Sequence, residues 1–432
     1  MTGNTENTEN TGHAGKVGQG EKVEGATGAT EAGMSAAASA APAAPRSKAQ
    51  LVAIVAAAVL ALVGIGLWMF QLGGGMVNTN MRNLDAWGIY LVMFMLFVGL
   101  SAGGLIISSV PRAFGIAGFG GISKVAIWVS VCCTVLAVGF VVVDLGGPAR
   151  LWHLFAYANM SSPLMWDIIV LSLYLVVSLI YLWATLRAES GKGSETGLRV
   201  LSVVALVCAV MVHTVTAWIF GLQNAHEFWY TALLGPWFVS SALLSGLALV
   251  LLVVVVLRKS GYLALEESSL VKMLKLLGVF TAIDLYFFAC DLLTTGFPAA
   301  GGGEVVAMLV SGPLAAFFWC EVVAGILTML IAFSPSLRRP GLVVLAAALS
   351  VLAIFCKRVQ LLVGGFQIEN ITNAGVTTGP PLSDAGAGLA ALGGQLVYVP
   401  SPLELGVVVG VLALGAFLLL LGLRVLPLSP KA

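Results

Sequence analysis

The stretch Asp144–Asp167, DLGGPARLWHLFAYANMSSPLMWD, decides how the rest of the chain is read. Apolar runs long enough to cross a bilayer lie on both sides of it. Two carboxylates, an arginine, a histidine, two tryptophans and an asparagine stand between them. A connection that only reverses the chain between two helices needs about 2–8 residues. This one is longer and carries side chains that hydrogen-bond, stack and take protons, which marks a site at one rim of a membrane protein.

Working outward, hydrophobic residues make up 59% of the 432 and charged residues 9%, against roughly 25% charged in a soluble domain. That excess of apolar surface requires lipid as the main solvent and predicts an all-α integral membrane protein. The formal net charge of +1 argues against nucleic acid as a partner. Six cysteines all lie within apolar runs, and none forms the C-x-x-C spacing of a zinc or iron–sulfur site. They read as small packing residues, so no cluster is expected on this chain.

Ten apolar runs satisfy the ~20-residue requirement for a span. They cover 51–72, 85–110, 122–144, 164–186, 198–220, 233–257, 271–293, 305–333, 341–363 and 404–426. Residues 1–49 are rich in Gly, Ala, Thr, Asn and Glu and predict a disordered cytoplasmic tail. The first run follows this long tail and is not followed by a small-x-small cleavage site, so it reads as a retained helix rather than a signal peptide. The expected organisation is an extra helix and outer loop over 50–84, a first four-helix bundle over 85–232 and a second over 233–363. A Gly-rich outer loop over 364–403 and a last helix over 404–432 complete it.

With the N-terminus inside and sides alternating, 17 of the 21 Lys and Arg fall on the inner side. The outer four are Arg82, Arg150, Lys357 and Arg358. The positive-inside rule asks for that bias. Both termini are then cytoplasmic, and the polar stretch 144–167 faces outward. Phe97–Gly104 (FVGLSAGG) is echoed by Phe238–Gly246 (FVSSALLSG), and Asp144 closing one run is echoed by Asp291 closing another. The echoes suggest two related bundles, whose small residues suit close helix approach.

Each ionisable residue inside a span costs roughly 2.5–3.5 kcal/mol on insertion scales. Asp284, Asp291, Glu321, Lys357 and Arg358 therefore mark a candidate proton path in the second bundle. The structural alternative pairs Asp291 or Glu321 with Arg358 while Lys357 snorkels. A bis-His haem is hard to assemble from His153, His213 and His226, two of which stand at loop level. A quinone site fits better: it needs an apolar slot, a polar partner for each ring oxygen and a proton acceptor such as histidine. The outer ends of the first bundle supply Asp85, Trp87, Tyr90, Arg150, Trp152, His153, Asp167, His213 and His226 for those roles. Trp and Tyr also populate interfacial belts in any membrane protein.

The entry Trp87-Gly88 with GLSAGG, the loop VDLGGPARLWH followed by SSPLMWD, and His213 followed by HEFW resemble the NrfD/polysulfide reductase membrane-subunit family over about residues 85–335. The resemblance implies a haem-free subunit that reacts with menaquinone or ubiquinone near the outer face of a bacterial or archaeal cytoplasmic membrane. It also implies a ferredoxin-like partner with several iron–sulfur clusters, serving a molybdopterin or multihaem cytochrome catalytic subunit. The family loop usually carries an arginine where this chain has Gly147, leaving Arg150 as the only positive charge there. Other classes are a secondary transporter with midplane carboxylates and a passive membrane anchor.

Overall fold

A computed structural model describes residues 48–81, 86–115, 120–224, 226, 228–263, 265–297, 302–367 and 398–428. The tail, Asp85 and most of the 364–403 loop lie outside these residues. Among the described residues the chain is entirely helical, with ten helices long and apolar enough to span a membrane. The spans are α1 (Lys48–Gly74), α2 (Ile89–Phe114), α3 (Gly120–Asp144), α5 (Pro163–Glu189), α6 (Glu195–Gly221), α7 (Leu234–Lys259), α8 (Glu267–Gly296), α10 (Ala315–Phe333), α11 (Pro340–Gln367) and α12 (Pro402–Val425). Two short helices, α4 (His153–Ala156) and α9 (Gly303–Val310), precede α5 and α10. The protein is an integral membrane protein of the all-α class.

Local signals set the ends. Pro163 opens α5, where a missing N–H costs nothing. The Ser194 hydroxyl accepts from Gly197 N at the start of α6. Ser401 and Glu404 form a capping box on α12. The run read as one span over 305–333 is broken, because Gly312 and Pro313 separate α9 from α10. Proline has no N–H to continue the ladder and its ring clashes with the preceding turn. The ninth span, in turn, continues four residues past 363 to Gln367.

Helices α2, α3, α5 and α6 pack in a ring, with α2 against α3, α3 against α5, α5 against α6 and α6 against α2. Helices α7, α8, α10 and α11 repeat that pattern. The rings meet where α2 crosses α7, and α2 is buried along nearly its whole length. Gly103 and Gly246 make the crossing possible. A Cβ on Gly103 would stand 2.1 Å from the Ala242 carbonyl oxygen, so the backbones touch there. Helices α1 and α12 pair outside the rings and lean on α3 through α12. Their crossing is another glycine pair, Gly64 with Gly410.

A buried polar knot ties that outer pair to the start of α2. The Tyr90 hydroxyl donates to Gln71 Oε1 at 2.6 Å. The Glu404 carboxylate accepts from Asn80 N at 3.0 Å, Ser401 N at 2.7 Å and the Tyr398 hydroxyl. Burial, followed by that donation to Glu404, pushes the Tyr398 phenol above its ordinary range.

Candidate functional site

The rim formed by residues 76–81, 86–88, 145–162, 222–224, 226 and 228–233 is called the loop rim below. It carries an aromatic-walled pocket of about 190 Å³ lined by Ala86, Trp87, Gln223, His226, Trp229 and Phe366. Trp87 stacks on Trp229 with ring centres 6.4 Å apart, and meets Phe366 edge-on at 6.1 Å. The His226 ring lies 4.3 Å from Trp229. Trp229 is seated by a hydrogen bond from its Nε1 to the Leu361 carbonyl at 2.7 Å. Gly365 leaves room for the indole: a Cβ there would stand 2.0 Å from Nε1. The pocket therefore joins the start of α2, the connection after α6 and the end of α11.

Of the first-bundle residues singled out in the sequence, Trp87 and His226 line this pocket. Asp85 precedes it in the chain but lies outside the described residues. Tyr90 is fully buried and engaged with Gln71 on α1, so its hydroxyl belongs to the knot. Arg150, Trp152 and His153 are exposed on the loop rim, with Trp152 and His153 packed on each other at 4.1 Å. Asp167 is buried on α5 and accepts from the Thr216 hydroxyl of α6 at 2.5 Å.

His213 lies deeper, fully buried at the boundary between the rings. Its Nε2 is 3.2 Å from Arg358 Nη2. A guanidinium has only donors, so in this contact Nε2 accepts and the ring proton sits on Nδ1. Arg358 also donates to Ser241 Oγ, and its Cζ lies 3.9 Å over the Phe238 ring.

The second ring carries a charged layer. Lys357 Nζ pairs with Asp284 and, at 3.3 Å, with Glu321. It also lies 4.6 Å from the Trp237 ring centre. Gln360 Nε2 donates to Glu321 Oε2 at 2.7 Å. This reverses the expected pairing: Lys357 holds the carboxylates instead of snorkelling, and Arg358 turns to His213. Consecutive residues on a helix point about 100° apart, so neighbouring cations on α11 reach different rings. A narrow cavity of about 30 Å³ adjoins the layer, lined by Asp291, Glu321, Lys357, Arg358, Gln360 and Thr231 together with Phe228 and other apolar residues.

The first ring buries hydroxyls instead, with Tyr174 standing 147 residues before Glu321. Ser101 Oγ contacts Thr134 Oγ1 at 2.6 Å and Tyr174 OH at 3.0 Å, and Ser130 Oγ contacts Tyr174 OH at 2.7 Å. Seven residues along each helix, Ser108 and Ser123 pair at 2.9 Å, and Tyr181 accepts from Arg112 at 3.0 Å.

Sequence reasoning missed Gln223 and Phe366 in the pocket, Ser241 beside Arg358 and Gln360 beside Glu321. Only Gln360 carried a signal, a polar residue one turn from Lys357 on an apolar helix.

Comparison with known proteins agrees with this architecture. Residues 77–369 match the family model described as polysulphide reductase, NrfD. A putative dimethyl sulfoxide reductase membrane subunit of Halobacterium salinarum is 33% identical over 398 residues, covering 87% of this chain and 91% of that protein. A selenate reductase subunit of Mesobacillus selenatarsenatis is 28% identical over 54% of this chain and 62% of its own. An Hdr-like menaquinol oxidoreductase integral membrane subunit of Archaeoglobus fulgidus is 26% identical over 86% of this chain and 92% of its own. The chain belongs to the NrfD polysulphide reductase family and is a membrane subunit of a respiratory oxidoreductase complex.

Proposed function

We propose that this subunit oxidises a membrane quinol, or reduces the quinone, in the Trp87–Trp229–Phe366 pocket. The electrons pass one at a time to an iron–sulfur protein docked on the loop rim, which faces the outside of the cytoplasmic membrane. The reading rests above all on the pocket itself: flat aromatic walls with an imidazole and an amide among them. At about 190 Å³ it is smaller than the 300–1,000 Å³ of drug-sized sites, as suits a ring headgroup whose tail stays in lipid.

Oxidation of the quinol releases two electrons and two protons. His226 is placed to take a proton from one ring oxygen, and the Gln223 amide to hydrogen-bond the other. Trp87 and Trp229 wall the ring by stacking. Asp167 and His213 stand deeper as further acceptors. The exposed Arg150, Trp152 and His153 suit the face that receives a ferredoxin-like multi-cluster partner, itself feeding a molybdopterin or multihaem catalytic subunit. The bias of Lys and Arg toward the opposite rim supports the orientation. A menaquinol is the preferred substrate class, since one relative's name carries it.

Oxidation of a soluble menaquinol analogue by the purified complex tests the reading. His226→Ala is expected to lower kcat about 100-fold, and Trp87→Ala to raise KM about tenfold, equivalent to ~1.4 kcal/mol of ring stacking. Unchanged kinetics in both variants would overturn it.

A further inference from the structure

The start of α2 carries one wall of the pocket and has no cap of its own. Gly88 stands at the cap position and offers no side chain to the orphan N–H groups of the first turn. The Tyr398 hydroxyl, 309 residues away, accepts from Ile89 N at 3.0 Å in its place. The same hydroxyl donates to the Glu404 carboxylate, whose other oxygen accepts from Asn80 N at 3.0 Å and Ser401 N at 2.7 Å. A hydroxyl has one proton to give and two lone pairs, so donating to Glu404 leaves it free to accept from Ile89. A second tie runs from Asn80 Nδ2 to the Val399 carbonyl at 2.9 Å. Gly88 is what admits the phenol: a Cβ there would stand 2.4 Å from the Tyr398 oxygen. Tyr398, Ser401 and Glu404 all lie beyond residues 77–369, the part of the chain that matches the family.

We propose that Tyr398 is a positioning residue for the quinol pocket: it caps α2 from outside and thereby sets the Trp87 indole against Trp229. The substrate in this statement rests on the quinol reading above. Trp87 is the residue before the cap, and capping fixes the angle at which the chain enters a helix. The indole meets Phe220 at 6.0 Å, Phe366 at 6.1 Å and Trp229 at 6.4 Å. Ring contacts of this kind are favourable over a range of offsets, so the backbone decides where within that range the indole stops. Glu404 lies in the first turn of α12 and holds the phenol in place. The helix pair outside the rings thus has a hold on the pocket wall. Loss of the Tyr398 hydroxyl leaves that wall present but misaligned, which weakens binding of the ring and spares the proton acceptor His226.

Two measurements on the purified complex test this, one of them without quinol. With 5-fluorotryptophan incorporated, the fluorine resonance lost in Trp87→Phe reports that indole directly. It is expected to shift or broaden in Tyr398→Phe, while the resonance of Trp183, exposed on α5, stays where it is. In oxidation of a menaquinol analogue, Tyr398→Phe is expected to raise KM about fivefold with kcat held within about twofold. Because Tyr398 acts through Trp87, adding Tyr398→Phe to Trp87→Ala is expected to leave KM at the about tenfold rise of Trp87→Ala alone, short of the product of about fiftyfold. Gly88→Ala pushes the phenol away with its methyl group. It is expected to reproduce both changes, and it carries the test should Tyr398→Phe fail to assemble. An unmoved Trp87 resonance, a KM unchanged by Tyr398→Phe where Trp87→Ala raises it, or effects that multiply overturns the proposal. A resonance that moves while Trp87→Ala and His226→Ala leave the kinetics unchanged overturns the quinol reading instead, and the hold of Tyr398 on Trp87 stands.

Discussion

The two four-helix rings share one packing plan and differ in what they bury at mid-depth. The first holds Ser101, Ser130, Thr134 and Tyr174, which are neutral and saturate one another. The second holds Asp284, Glu321 and Lys357, which are charged and leave polar atoms unmet. Tyr174 and Glu321 are 147 residues apart, as are Thr134 and Thr281 and Asp144 and Asp291. His213 and Arg358, 145 apart, meet each other at the boundary. Hydroxyl layers glue membrane helices at modest gain per contact, whereas ions in the same place cost more than packing requires. One ring therefore closes its polar groups on one another at this depth, and the other does not.

The largest expected effect breaks the frame common to both. Gly103→Leu drives a side chain into the backbone of α7, and we expect no folded monomer on size exclusion in detergent. Next, Lys357→Met strands two buried carboxylates and is expected to cost about 3–5 kcal/mol in thermal unfolding. Adding Asp284→Asn and Glu321→Gln is expected to restore most of that loss. Thr216→Val removes the hydroxyl that Asp167 accepts from, for about 1–3 kcal/mol in the same assay. The smallest is Tyr174→Phe, which removes two hydroxyl contacts for about 1 kcal/mol. If Tyr174→Phe costs as much as Lys357→Met, the contrast between the rings fails.

What could be read in advance follows from range. Spans are local and one-dimensional, so apolar length alone found all ten. The break at Gly312–Pro313 was masked by the apolar residues around it. Trp87 and His226 were legible as polar or amphipathic residues at helix ends, but their convergence with Phe366 was not, because α11 had to extend past 363 to bring that ring in. The exchange of partners by Lys357 and Arg358 depends on which way two adjacent side chains turn, and hydropathy is blind to that. Tyr90 illustrates the opposite failure: its position suited a ligand, and a glutamine on a helix outside the ring claimed it first.

The pairing of α1 with α12 has a consequence for biogenesis. Asn80, just past α1, and Glu404, in the first turn of α12, are 324 residues apart. At 5–20 residues per second the ribosome needs roughly 16–65 s to cover that distance. Throughout that interval α1 is without its glycine-matched mate, Gly410 of α12. The α1–α12 pair can close only near the end of synthesis, which makes the interval before α12 emerges the one in which α1 is most open to membrane quality control.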